Sequence, residues 1–352
     1  MTEPPEPAFS SDTPRTKFYS HDRAHSAEDY ADLWFQESDE GHILFVVFYT
    51  LACRWGRCLG CNLPARSSPV HIDYRALLRQ IDGIFGSPAV VTRRQEIRKV
   101  IVSNNGSILD EATFSSTALF YLLARLNLHF PRLAVLSIET RPEYVDLAEL
   151  ELIARALAEG DTPTSLELAV GFEAFDDGIR NDIFRKGLHK RKFERLVGNA
   201  ARYGFHLKCY FMQKPIPGLS DDEAVADIHQ AVDYLAHLAI RENARMNMHL
   251  NPTYAARGTE LETAFRRGDF RPPWLTDVAR AALHAAGKPL SVFIGLSDEG
   301  LAVEGGSFLL PGEEPLVAQL ETFNRTQNYR ILENIVAGTG QEKSGSGTSA
   351  KI

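Results

Sequence analysis

Six short runs of β-branched and aromatic residues recur between residues 43 and 250, each separated from the next by an amphipathic stretch, and this alternation leaves few folds open. The runs are Ile43–Thr50, Lys99–Ser103, Leu133–Thr140, Ser165–Phe172, His206–Met212 and Arg245–Leu250. Several are apolar on both faces, as buried parallel strands are. Between them lie Asp73–Phe85, Ala112–Leu128, Leu147–Ala158, Asp176–Asn199 and Asp221–His237, each with helical periodicity. The pattern predicts an α/β fold with a parallel sheet and right-handed crossovers. A partial barrel of six β/α units with N- and C-terminal extensions fits it, and the open doubly wound sheet is the competing architecture.

Either architecture places chemistry at the C-terminal strand ends. Polar residues gather there. The first run leads into a cysteine-rich loop and the second into Asn104-Asn105-Gly106-Ser107. The next two end in Glu139-Thr140-Arg141-Pro142 and Glu173, and the last two in Gln213-Lys214-Pro215 and Asn251-Pro252-Thr253.

The first loop carries Cys53, Cys58 and Cys61, three of the four cysteines, within nine residues. Such crowding asks for a metal. Gly56 and Gly60 let the backbone fold back so that the thiolates converge, and Arg54 and Arg57 are expected to offset their charge. Three thiolates on a [4Fe–4S] cluster leave one iron open to a ligand. The rival is a structural zinc site, but zinc sites normally draw a second ligand pair from another short spacing. Cys209 is isolated, and His42 and His71 are singletons. The pattern of Cys209's strand reads it as a buried small hydrophobe.

The formal net charge is −8, which weighs against a large nucleic-acid interface. The densest basic run, Arg185–Arg195, reads as a solvated helix face or a local phosphate contact. No apolar run approaches the ~20 residues of a membrane span, and the acidic, proline-rich start resembles no leader, so a cytoplasmic protein without membrane contact is expected. The domain reading is a disordered or draped segment over 1–24 and a barrel domain over 25–300. A C-terminal extension over 301–338 packs on the barrel, and a disordered tail covers 339–352.

A three-cysteine loop after the first strand of a six-unit barrel resembles the radical S-adenosylmethionine (SAM) superfamily. The spacing here is four and two residues, where three and two is commonest, and Gly60 stands where that family usually has an aromatic residue. Ile138-Glu139-Thr140-Arg141-Pro142-Glu143 resembles a signature of the Elongator catalytic subunit-like branch, as do Gly171-Phe172-Glu173, Asp177-Gly178-Ile179-Arg180 and Arg185-Lys186-Gly187. Asn105–Asp110, Asn251-Pro252-Thr253 with Arg257-Gly258-Thr259, and Arg271–Leu275 are similar to the archaeosine-forming radical SAM proteins. The resemblance spans roughly residues 40 to 300.

The resemblance implies a [4Fe–4S] cluster on Cys53, Cys58 and Cys61 and SAM as cofactor, with no catalytic residue assigned beyond the cluster. Asn105, Gly106 and Ser107 would meet the amino group of SAM, Glu173 its ribose or amino-acid part, and Arg185 and Lys186 its carboxylate. Glu139 and Asn251 are further candidate contacts, although Glu139 could equally pair with Arg141. His206 and His249 read as core or surface histidines. A flavodoxin- or ferredoxin-type electron donor is implied as partner. The implied reaction is reductive SAM cleavage followed by hydrogen abstraction and cleavage, in the manner of a C–N lyase, or rearrangement. Its substrate is a modified deazaguanine in tRNA or, alternatively, a small-molecule metabolite. A second cluster, a cobalamin domain and the acetyltransferase of the Elongator branch are not expected here. A non-catalytic zinc or iron–sulfur scaffold is the reading from a different class.

Overall fold

The computed structural model describes residues 20–21 and 23–345. Most of the expected N-terminal segment, and residues 346–352 of the expected tail, lie outside the described residues. One eight-stranded sheet, ordered β1 to β8 along the chain, curls into an open half-barrel. The six predicted strands are β2 (Gly41–Val47), β3 (Ile97–Ser103), β4 (Val135–Thr140), β5 (Ser165–Glu173), β6 (His206–Gln213) and β7 (Arg245–Pro252). From β2 onward every pairing is parallel.

Two strands escaped the sequence reading. β1 (Asp32–Ser38) pairs antiparallel with β2 through a tight turn ending at Gly41, whose φ of 98° suits glycine. β8 (Ser291–Ile294) is four residues long, too short for periodicity to show.

Helices α1 (Tyr74–Gly86), α3 (Ser116–His129), α4 (Leu147–Leu157) and α6 (Asp221–Glu242) correspond to four predicted segments, with a short α2 (Pro88–Arg93) after α1. The fifth segment, Asp176–Asn199, is not one helix. A π-helical turn over Gly178–Ile183 gives way to an irregular stretch before α5 (Lys190–Arg202). Arg185 (φ 64°) and Gly187 (φ 66°) both take left-handed backbone, which no helix continues. Three further helices, α7 (Glu260–Arg267), α8 (Leu275–Leu283) and α9 (Glu314–Thr326), precede α10 (Tyr329–Gly345), which runs into the segment expected as tail.

The sheet's outer face carries Leu44, Val100, Leu136, Leu168, Leu207 and Met248 into the main core beneath the helices. Its inner face is more polar and frames the cavity described below. The open edges β1 and β8 do not pair with each other; α9 bridges them. Asn324 accepts from Ile294 N and donates to Ile294 O, both at 2.8 Å, and Gln327 does the same for Val292 at 3.1 and 2.8 Å. The Asn324 carbonyl accepts from Asp39 N at 3.1 Å. Two side-chain amides thus stand in for the strand that would complete β8. Among the described residues no helix is long and apolar enough to cross a membrane.

Candidate active site

The half-barrel encloses a cavity of about 1110 Å³ opening at the C-terminal strand ends. Cys53, Cys58 and Cys61 all line it, none of them in a disulfide. Cys209 lies apart, buried in the outer-face core, where desolvation pushes its thiol far above the ordinary value.

Glycine sets the packing around the cysteines. A Cβ on Gly106 would stand 3.2 Å from Cys53 Cα, so the turn after β3 abuts the cysteine loop closely. Asn105 precedes it in left-handed backbone (φ 57°) that asparagine tolerates, its N–H donating to Ser103 Oγ at 3.2 Å. A Cβ on Gly60 would fall 2.6 Å from Leu261 Cδ1, with Phe184 at 3.7 Å. The apolar wall that an aromatic residue at position 60 would supply comes here from Leu261 on α7, some two hundred residues along the chain.

Lys186 and Glu173 form an ion pair at 2.7 Å on the cavity wall. The pair needs Gly171, because a Cβ there would lie 2.3 Å from Glu173 Oε1 and 2.4 Å from Lys186 Nζ. Its glutamate ends β5 in left-handed backbone (φ 75°). The irregular stretch before α5 brings Lys186 into place.

The charges facing the thiols differ from those expected. Arg54 gives both donors to Asp110, at 2.7 and 2.9 Å, and the Arg57 guanidinium sits 5.0 Å from the centre of the Trp55 ring. Arg141 and Lys186 are the cations near Cys58: burial pushes that thiol up, and their charge opposes the rise. Arg141 pairs with Glu143, donates to Lys186 O at 3.2 Å and covers Trp55 at 4.7 Å. Trp55 in turn donates from Nε1 to Arg185 O at 2.8 Å, fastening the cysteine loop to the Arg185–Gly187 stretch.

Of the expected cofactor contacts, Asn105, Gly106, Glu139, Glu173, Lys186 and Asn251 line the cavity. Two do not. The Ser107 hydroxyl is buried against Thr140 Oγ1 at 2.7 Å, and the Arg185 guanidinium pairs with Glu260 on α7. Nor does Glu139 pair with Arg141: it accepts from Tyr210 at 2.6 Å, and desolvation pushes its carboxyl up.

The cavity is also lined by Tyr210, Tyr254 and Glu299, which the sequence did not single out. His249, read as a core or surface histidine, lines the cavity with its ring 4.8 Å from those of Tyr210 and Phe293. Below, the inner face is sealed by a buried charge network. Lys99 bridges Glu40 at 2.5 Å and Glu167 at 2.9 Å, and Lys208 lies 4.0 Å from Glu167. Glu40, Glu167 and His206 have donor atoms close together, but both carboxylates are already paired with Lys99.

No family model matches the chain. Archaeosine synthase subunit beta of Methanosarcina acetivorans is 29% identical over 67% of this chain and 64% of its own length, so the chain spans just under two thirds of that relative. The protein of the same name from Thermococcus kodakarensis is 23% identical over 84% of this chain and 88% of its own. An uncharacterized protein of Methanocaldococcus jannaschii is 24% identical, covering 83% and 78%. Among solved structures, Elp3 of Methanocaldococcus infernus superposes with a TM-score of 0.46 at 14% identity, covering 77% of this chain and 59% of that one. The chain is thus similar in sequence to proteins named archaeosine synthase subunit beta from two archaea.

Proposed function

We propose that the chain is a radical SAM enzyme that cleaves SAM reductively and uses the resulting radical to abstract hydrogen from a substrate. One observation carries the reading: three cysteines from one loop share a cavity with a close-packed glycine turn and a Lys–Glu pair. That donor set fits a three-thiolate iron–sulfur cluster: among the described residues no histidine joins the cysteines, and three thiolates would leave one iron open to a ligand. When bound, the cluster would supply the electron that splits SAM into methionine and a 5′-deoxyadenosyl radical.

The remaining work falls to the chain's own residues. Lys186 offers a cation for the SAM carboxylate, Glu173 an acceptor for its ammonium or ribose hydroxyls, and the Asn105-Gly106 turn a backbone surface without side-chain bulk. Glu139 and Asn251, on the inner face of β4 and β7, are further contacts in this reading. Leu261 and Phe184 exclude water beside Cys61. The charge network below closes the barrel floor, so that cofactor and substrate approach from the strand ends.

The relatives' name supports a modified deazaguanine in tRNA as substrate and a partner subunit; breakage of a C–N bond and a flavodoxin- or ferredoxin-type electron donor complete the reading. Anaerobic reconstitution with iron and sulfide, then dithionite and SAM, tests the core of the reading. Release of 5′-deoxyadenosine supports it. S-adenosylhomocysteine in its place would indicate methyl transfer and refute it.

A further inference from the structure

A helix laid over a sheet buries one stripe of side chains and turns charge to water. Helices α1 and α5 do so: α1 exposes Arg75, Arg79 and Asp82, and α5 exposes Arg191, Arg195 and Arg202. Helix α3 does not. Its solvent side carries Thr117, Phe120, Ala124 and Leu128, one face of the helix with no charge on it. Phe120 is 41% exposed and Leu128 78%.

Helix α4 extends the same apolar face. Asn127 Nδ2 donates to Ala156 O at 2.6 Å, which brings the last turns of α3 and α4 together. Their first turns also approach, because the Glu111 carboxylate, just before α3, bears on Glu149 in the first turn of α4. The two helices therefore run parallel. Leu152, 47% exposed, stands one turn before Ala156 on the same side of α4. Stepping back as far along α3 from Asn127 puts Leu152 level with the span from Phe120 to Ala124. Phe120, Leu128 and Leu152 thus share one exposed apolar strip along the α3–α4 groove.

The rim of the strip is acidic. Glu111, Asp146 and Glu149 gather where the helices begin, and Glu159 and Asp161 follow the end of α4. Desolvation and the neighbouring Glu111 and Asp146 carboxylates push the Glu149 carboxyl up. Of the arginines and lysines on α3, α4 and the turns after them, Arg125 is paired with Asp82 and Arg155 with Glu151. That leaves Arg132 against five carboxylates. A second copy docked across a two-fold axis would set these carboxylates against themselves, and RNA would set phosphates against them. A surface whose apolar residues are flanked by cations is the complement.

We propose that the α3–α4 face docks a protein partner through an amphipathic helix whose apolar side is flanked by lysine or arginine. The inference rests on the proposed function only for identifying that partner as the other subunit of a tRNA-modifying assembly. A basic partner would also bring to an RNA substrate the cations that a chain of net charge −8 lacks in excess.

The test uses the reconstituted full chain and fluorescein-labelled helical peptides of about 18 residues, or five turns. One peptide has a leucine face flanked by lysine, one has the same face flanked by glutamate, and one keeps the lysines with serine in place of leucine. Fluorescence anisotropy should show the first bound at least about tenfold more tightly than the others, and more weakly as salt rises. Leu128→Ser with Leu152→Ser should weaken its binding at least about tenfold. Glu111→Gln with Glu149→Gln should flatten the salt dependence, while Ile240→Ser, at a residue 71% exposed on α6, should change nothing. Circular dichroism reports folding, and hydrogen exchange should slow in α3 and α4 when the first peptide binds. Equal binding of the peptides, an unchanged folded Leu128→Ser, Leu152→Ser variant, or protection confined to other helices would overturn the proposal. So would a dimer in sedimentation that the same variant dissociates, which assigns the face to a second copy, or protection of α3 and α4 by tRNA. Release of 5′-deoxyadenosine is measured in parallel. Its absence with selective peptide binding counts against the radical reading and leaves the face standing, and release without selective binding removes the face alone.

Discussion

Replacing Glu167 by Gln should damage the fold more than any other single isosteric change in the barrel interior. Glu167 is 2% exposed and accepts from Lys99 Nζ at 2.9 Å and Ser137 Oγ at 2.7 Å, with Lys208 at 4.0 Å. Both lysines are buried, and Glu40 is the one other carboxylate the network supplies to Lys99. The substitution keeps the shape but leaves two buried cations sharing one anion. Breaking a buried pair in this way costs about 3–5 kcal/mol, because a desolvated charge loses its partner. With an unfolding entropy of about 2.1 cal/mol/K per residue over 352 residues, each kcal/mol moves the midpoint by about 1.4 °C, so the melting midpoint should fall by at least about 4 °C, read by far-UV circular dichroism at pH 7. Adding Lys208→Met removes the surplus cation and should recover at least about 2 kcal/mol of the loss.

The same pair predicts a pH dependence. Lys99 holds the Glu167 carboxyl down to about 2 against the desolvation that opposes it. A depressed carboxylate adds stability that is present above its unfolded value, near 4.3, and lost as pH falls through its folded value. The gap between wild type and Glu167→Gln should therefore narrow from about pH 4 toward pH 2. A variant that melts within about 2 °C of wild type at pH 7, or a gap constant down to the acid limit, would refute the reasoning.

The other predictions concern the site. Anaerobically prepared protein should be brown with about four irons per chain; Ala at Cys53, Cys58 or Cys61 should abolish the colour and Cys209→Ala should keep it, whereas one zinc in a colourless protein would end the cluster reading. Gly171→Ala drives a methyl group between Glu173 Oε1 and Lys186 Nζ and should weaken SAM binding at least about tenfold, or ~1.4 kcal/mol, by equilibrium dialysis of a folded protein. Binding of tRNA by this chain alone should be weak and strongly salt-dependent. Filter binding across a salt series checks this, and tight, salt-insensitive retention would contradict it. Changing Lys190, Arg191 and Lys192 together to Glu should lower tRNA retention; Lys190 is itself engaged, 3.5 Å from Asp177 and over the Phe175 ring.

Much of the candidate site's layout was legible because its cysteines are local. Cys53, Cys58 and Cys61 crowd one loop, and strand ends can be counted along the chain, so the order of β2 to β7 and the polar residues after them could be read directly. Helical periodicity failed at Asp176–Asn199, since an amphipathic pattern does not register the left-handed backbone at Arg185 and Gly187 that breaks the helix. That break carries Lys186 to the cavity and turns Arg185 away to Glu260, a division between neighbours that no residue-type argument makes.

The sequence by itself determined the fold class and the crowding of three cysteines in one loop, because periodicity and cysteine spacing are written in adjacent residues. Only the tertiary structure decided what completes the cavity. Leu261 fills the space beside Gly60, Asn324 and Gln327 cap the free edge of β8, and His249 on β7 and Glu299 in the loop after β8 line one cavity. Each of these contacts joins residues far apart along the chain. Which side chains meet across a barrel depends on the curl and register of the whole sheet, and no short window of sequence contains that information.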